Sequence, residues 1–174
     1  MHRRTLKNYL TNNGEIAWDR KKLCVWLAAV SALVFGVFVP GRIVVAVSPS
    51  LDHRIFIIDK RFVPEEIRKD DYVIFTVRSP YIKNGTPSRL MKKVSCVTGD
   101  RLETRNLQYF CNGEYLGMAK WHSLRGEPVD AFVFSGAVPE GKFFVTGHHV
   151  DSFDSRYLGF VERRNVEAIA HPLL

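Results

Sequence analysis

Cysteine is scarce in this chain. Only Cys24, Cys96 and Cys111 occur among 174 residues, and their spacing matches no zinc-binding pattern, so a structural zinc module is excluded. The sequence has no internal repeat and no low-complexity stretch. With 46% hydrophobic, 12% aromatic and 25% charged residues, it is neither disordered nor collagen-like. Its length suffices for one domain with its own core. Acidic residues are outnumbered, giving a net charge of +7, which raises the question of a nucleic-acid partner. The distribution answers it. Six of the basic residues (Arg3, Arg4, Lys7, Arg20, Lys21, Lys22) precede residue 23 against only Glu15 and Asp19, and the rest of the chain carries just +3. No nucleic-acid partner is expected.

Charge is absent altogether from the 17 residues Leu23–Val39, and after Pro40-Gly41-Arg42 the apolar character resumes over Ile43–Val47. About 17–25 such residues can span a bilayer as a helix. A buried core helix would normally show a polar face, and only Ser31 and Gly36 soften this one. A cleavable signal peptide is the other alternative, with Ala46-Val47-Ser48 as a weak cleavage region. The expectation is a retained transmembrane anchor over 23–47, a cytoplasmic segment over 1–22 and an exported domain over 48–174. The basic cluster before the run should stay in the cytoplasm. In a bacterium this places the protein in the inner membrane with its domain in the periplasm and membrane lipid as a partner. Cys96 and Cys111 then lie where oxidation is permitted, which leaves a disulfide between them open.

Beyond Val47 the pattern changes to short runs of alternating β-branched and aromatic residues. Strands are predicted over Arg54–Ile58, Tyr72–Arg78, Met91–Val97, Gln108–Cys111, Glu114–Met118, Lys142–Val145 and Val166–Ala170. Asn112-Gly113 signals a two-residue hairpin, Pro64–Lys69 a short helical turn, and Ser79–Ser88 and His122–Asp130 surface loops. The expected fold is mainly β, a coiled sheet or partly closed barrel after one N-terminal membrane helix.

Chemistry concentrates in Val47-Ser48-Pro49-Ser50-Leu51, Met91-Lys92-Lys93-Val94 and the stretch GHHVDSFDSRYLG from Gly147 to Gly159. Alone, each reads as an ordinary turn, solvated face or hydrogen-bonded loop. A serine hydroxyl needs a base to take its proton, and a neutral lysine can serve when burial penalises its ammonium form. On a strand, Lys92 and Lys93 point to opposite faces. Leu90, Val94 and Cys96 accompany Lys92, whereas Met91, Ser95 and Val97 accompany Lys93, so the pattern leans only slightly toward Lys92.

The segment FFVTGHHVDSFDSRYLGFV, Phe143 to Val161, resembles the last box of type I signal peptidases. KKVSCVTGD, Lys92 to Asp100, resembles the box opened by their catalytic lysine, and KDDYVIF, Lys69 to Phe75, the strand before it. This resemblance covers nearly everything from the anchor onward and implies a membrane-bound serine endopeptidase. It makes Ser50 the nucleophile, Lys92 its general base, and the Ser48 hydroxyl with the Ser50 N–H the oxyanion donors. It makes Ser152 the hydrogen-bond partner of the lysine, with Ser155 as the alternative, and Asp154 with Arg156 a structural ion pair. No cofactor and no metal is implied.

Some positions depart from the family pattern. Leu51 and Asp52 follow Ser50 where Met and then Pro are usual, and Gly-His-His stands for Gly-Asp-Asn. SPSLDHRIF and HVDSFDSRYLG are more similar to the TraF-type branch, which matures pilins in conjugative plasmid transfer. A membrane-inserted pilin precursor is then the expected substrate, cleaved and either hydrolysed or cyclised, and pilus-assembly proteins are possible partners. The alternatives are a general leader peptidase acting on preproteins and a non-catalytic, membrane-anchored assembly factor on a peptidase scaffold. His148, His149 and Asp151 as metal ligands, and His53 as a base, are weaker readings, since neither has a clear partner set in the sequence.

Overall fold

A computed structural model of the chain describes residues 20–38, 42–46, 50–82 and 85–173. It divides into two compact units, Met1–Gly41 and Arg42–Leu174. In the first, helix α1 covers Arg20–Phe38, in which leucine, alanine, lysine and arginine favour helix. Leu23, Val25, Trp26, Leu27, Val30, Leu33 and Val34 are all exposed on it. Among the described residues no helix is long and apolar enough to cross a membrane. The far end of the expected anchor is moreover not helical, because Ile43–Val45 forms a strand of the second unit. Pro40 and Gly41 oppose helix continuation, and the β-branched residues after them pair instead.

The second unit is mainly β. Its strands are β1 (Ile43–Val45), β2 (Ile55–Asp59), β3 (Tyr72–Val77), β4 (Ser88–Cys96), β5 (Arg101–Arg105) and β6 (Gln108–Cys111). They continue with β7 (Glu114–Met118), β8 (Ser135–Ala137), β9 (Lys142–Thr146), β10 (Val161–Glu162) and β11 (Val166–Pro172), and a short helix α2 (Ser155–Leu158) follows β9. Seven strands form one sheet in the order β1-β2-β11-β3-β4-β9-β10, and four form another in the order β7-β6-β5-β8. Neither order returns to its first strand. The described residues thus form two sheets with antiparallel neighbours throughout and no closed barrel.

Alternation along β3 distributes the core. Val73 and Phe75 join Val94, Phe143, Val145 and Ile169 on one face of the large sheet. Tyr72 and Ile74 join Phe56, Ala168 and Ala170 on the other, as a side-chain period of two requires. A third cluster binds the two sheets to each other: Cys96 and Phe144 of the large sheet meet Leu102, Tyr109 and Cys111 of the small one. Cys96 and Cys111 are joined as a disulfide with their Cα atoms 5.8 Å apart.

The seven predicted strands are all present, β6 and β7 at the expected bounds and the other five shifted at one or both ends. Asn112 and Gly113 take φ of 50° and 86°, the left-handed pair that a tight hairpin turn requires. The predicted turn at Pro64 is a 3₁₀ turn over Pro64–Glu66.

Candidate active site

β4 sorts the two lysines. Lys92 lies opposite Val73 on β3, and Lys93 opposite Tyr72, so they inherit the two different faces of the sheet. Lys92 is 5% exposed. Lys93 reaches the surface and pairs with Asp70 at 3.2 Å. The Lys92 ammonium donates to the Ser152 hydroxyl at 2.7 Å. Burial holds the Lys92 pKa below the ordinary lysine range; the Asp154 carboxylate pulls it back up and the Arg156 guanidinium pushes it further down. Desolvation is thus the main cause, and it makes the neutral amine more accessible.

Ser50 is also buried, at 8% exposure. Its carbonyl accepts the backbone N–H of His148 at 2.8 Å. The position between them and Ser152 is occupied by Gly147, for a steric reason. A Cβ there would stand 2.0 Å from the Ser152 Oγ and 2.8 Å from the Ser50 carbonyl oxygen, distances that no real side chain tolerates. Glycine therefore lets the Ser50 segment, the Ser152 hydroxyl and, through it, Lys92 converge on one point. Ser48, the expected second oxyanion donor, lies outside the described residues.

The loop that delivers Ser152 is fastened by Asp154 and Arg156, which are 0% and 2% exposed. Arg156 makes a two-pronged contact with the carboxylate, Nε to Oδ1 at 2.9 Å and Nη2 to Oδ2 at 2.8 Å. Main-chain carbonyls accept as well, Met118 from Nη1 at 2.9 Å, and Ser152 and His149 from Nη2 at 3.2 and 3.3 Å. Asp154 also caps α2 by accepting the Arg156 N–H and accepts the Gly147 N–H at 2.8 Å. A planar fork against a carboxylate fixes direction as well as distance. Ser155, the alternative lysine partner, instead accepts the Val145 N–H at 3.0 Å, so Ser152 takes the lysine.

The histidines of this loop do not assemble a metal site. His148 Nδ1 lies 2.9 Å from Asp52 Oδ1, His149 Nδ1 accepts the Asp151 N–H, and Asp151 pairs with Lys120. Among the described residues the one group with metal-binding geometry is Cys96, Asp100 and Cys111, where both sulfurs are already joined. His53 packs edge-on against Phe56 and Tyr72. The roles of Gly147 and the Met118 carbonyl, and the meeting of Asp52 with His148, have no signature in the sequence. The glycine was visible in the Gly-His-His motif, but its steric role emerges only when three distant segments are brought together.

The arrangement places a buried, pKa-lowered lysine on a serine hydroxyl, next to a second buried serine. Such a group can take and return a proton without a cofactor. A comparison with curated proteins finds no match. Among solved structures the chain is similar to a signal peptidase I from Enterococcus faecalis V583, with 28% identity and a TM-score of 0.38 over 60% of this chain and 96% of that one. A family model described as signal peptidase, peptidase S26, matches residues 18–173. With nearly the whole length of the chain so matched, it belongs to the S26 family of signal peptidases.

Proposed function

We propose that this chain is a membrane-anchored serine peptidase in which Ser50 attacks and Lys92 is the general base, and that its substrate is a pilin precursor of conjugative transfer. The observation that carries the chemistry is the buried Lys92 amine on the Ser152 hydroxyl at 2.7 Å. That bond holds the amine in place, and burial lowers its proton affinity.

Neutral Lys92 takes the Ser50 hydroxyl proton as the oxygen attacks the scissile carbonyl. The oxyanion that forms is held by the Ser50 N–H and, in this reading, by the Ser48 hydroxyl; such a donor typically contributes about 2.7–4 kcal/mol. Collapse breaks the C–N bond and returns the proton from Lys92 to the departing amine. The ester on Ser50 is then released by water, with Lys92 again removing a proton. The amino terminus of the pilin can replace water and give a cyclic product.

The conjugation branch is supported by the segments SPSLDHRIF and HVDSFDSRYLG. A general leader peptidase uses the same chemistry and is equally consistent with the family match. Attachment to the inner membrane, with the catalytic domain in the periplasm, is supported by the charge-free run and the basic cluster before it.

Mass spectrometry of the pilin from cells carrying wild type, Ser50→Ala or Lys92→Ala tests the proposal. Matured pilin with the wild type alone is expected, and a product lighter by one water than the linear form indicates cyclisation. Maturation in all three strains removes the pilin as substrate. Cleavage of preproteins by the wild type, lost in both variants, would then favour the general leader peptidase.

A further inference from the structure

Two residues that break the family pattern, Asp52 after the serine and His148 after the glycine, stand far apart in the chain and meet in the fold. Asp52 Oδ1 lies 2.9 Å from His148 Nδ1. The same histidine donates its backbone N–H to the Ser50 carbonyl at 2.8 Å. One residue therefore grips the Ser50–Asp52 segment at both ends, by main chain at Ser50 and by side chain at Asp52. Gly147 closes the third side, since the Ser50 carbonyl oxygen lies 2.8 Å from where its Cβ would stand.

The pair is too exposed to matter much for stability: the side chains are 74% and 41% exposed for His148 and Asp52, and exposed ion pairs contribute little. Its value is geometric. Around it stand Lys93, paired with Asp70, and Glu114, paired with Lys69. Tyr72 is there too, its phenol pKa raised by burial and then by the charge of Asp52. Among the described residues, the two charged groups that line the same pocket, Lys93 and Glu114, are thus paired with other partners.

We infer that Asp52 and His148 form a clasp that sets the position of Ser50 for attack; both are positioning residues, and the inference rests on Ser50 being the nucleophile. A small displacement of a reacting group can slow the chemical step severely. A contact that acts only on the position of the nucleophile lowers kcat and leaves KM alone.

The test uses the full chain in detergent with two substrates, the pilin precursor and a preprotein whose signal peptide ends in Ala-x-Ala. Asp52→Ala and His148→Ala should each lower kcat on the order of 10-fold, with KM and Tm unchanged. The exchanged pair Asp52→His with His148→Asp should recover most of the lost rate. Single variants at full rate overturn the clasp, as does an exchanged pair no faster than the singles. A fall in Tm that tracks the fall in rate assigns the pair a structural role and also overturns it. Ser50→Ala separates the two levels: if it cleaves, or if the wild type cleaves neither substrate, the nucleophile reading fails and takes the clasp with it. If Ser50→Ala is inactive while the Asp52 and His148 variants run at full rate, the clasp alone fails.

Discussion

At the scale of single residues, Lys92 and Lys93 show how one position decides chemistry. Both belong to β4, yet one is buried against a serine and the other pairs with Asp70 at the surface. Cleavage should rise with pH as Lys92 loses its proton, with a midpoint below the ordinary lysine range, because burial lowers that pKa. A pH–rate profile checks this. Lys93→Ala should retain the rise, whereas Lys92→Ala should have no activity to titrate; inactivity of Lys93→Ala alone would shift the assignment by one residue. Stability follows with the matching sign. The folded state holds the Lys92 proton less tightly than the unfolded chain, so its burial penalty is full at pH values below the lowered folded pKa. The penalty fades as pH rises toward the ordinary value. A Lys92→Met variant should therefore have its largest Tm advantage over wild type at the low end and lose it with rising pH. The sequence showed that the two lysines part, through strand alternation, but leaned only slightly toward Lys92. The apolar company that buries Lys92 comes from β3 and β9, the strands on either side of β4, and not from its own segment.

Among elements, the strands that sequence made legible are those rich in β-branched and aromatic residues, such as YVIFTV in β3 and KFFVT in β9. The missed ones are weak in that signal. β5, RLETR, is mostly polar and buries only Leu102 fully. β8 is Ser-Gly-Ala and β10 two residues long. Both exist because a neighbouring strand supplies the ladder, a cause that lies outside their own sequence. β1 was hidden inside an apolar run that reads equally well as membrane helix. The disulfide is also an affair of elements, since it ties β4 to β6. Sequence placed both cysteines on strands and could not tell whether they faced each other. They close a loop with a sequence separation of 15, for which cross-linking is worth about 3 kcal/mol. Chemical denaturation with and without reductant should show a loss of that order. Equal midpoints would show that the packing of Leu102, Tyr109 and Phe144 holds the sheets together unaided.

For the second unit as a whole, Arg156 joins what the sheets leave separate. Its guanidinium binds Asp154 in the loop after β9 and the Met118 carbonyl at the end of β7, so it belongs to both sheets. Tyr109 of β6 adds a second tie, its hydroxyl 3.0 Å from the Arg156 carbonyl, with its pKa pushed up to about 12 chiefly by burial. Removing one partner of such a buried pair typically costs about 3–5 kcal/mol. Arg156→Ala should lose this much in urea denaturation and lose activity in parallel. Arg156→Lys should fall between, because an ammonium cannot reproduce the two-pronged contact. Wild-type stability in Arg156→Ala would mean that the disulfide and the shared core carry the junction. The Asp-Ser-Arg motif was legible in sequence as an ion pair; that the same arginine reaches the other sheet was not, because the Met118 carbonyl has no signature.

The contact between Asp52 and His148 also bears on descent. Neither residue has its partner if the other changes first, and an intermediate carrying only one would have a looser Ser50 segment. Lineages that keep the aspartate should keep the histidine, and those that lose one should lose both. Two positions far apart in the chain are thereby inherited as a single trait.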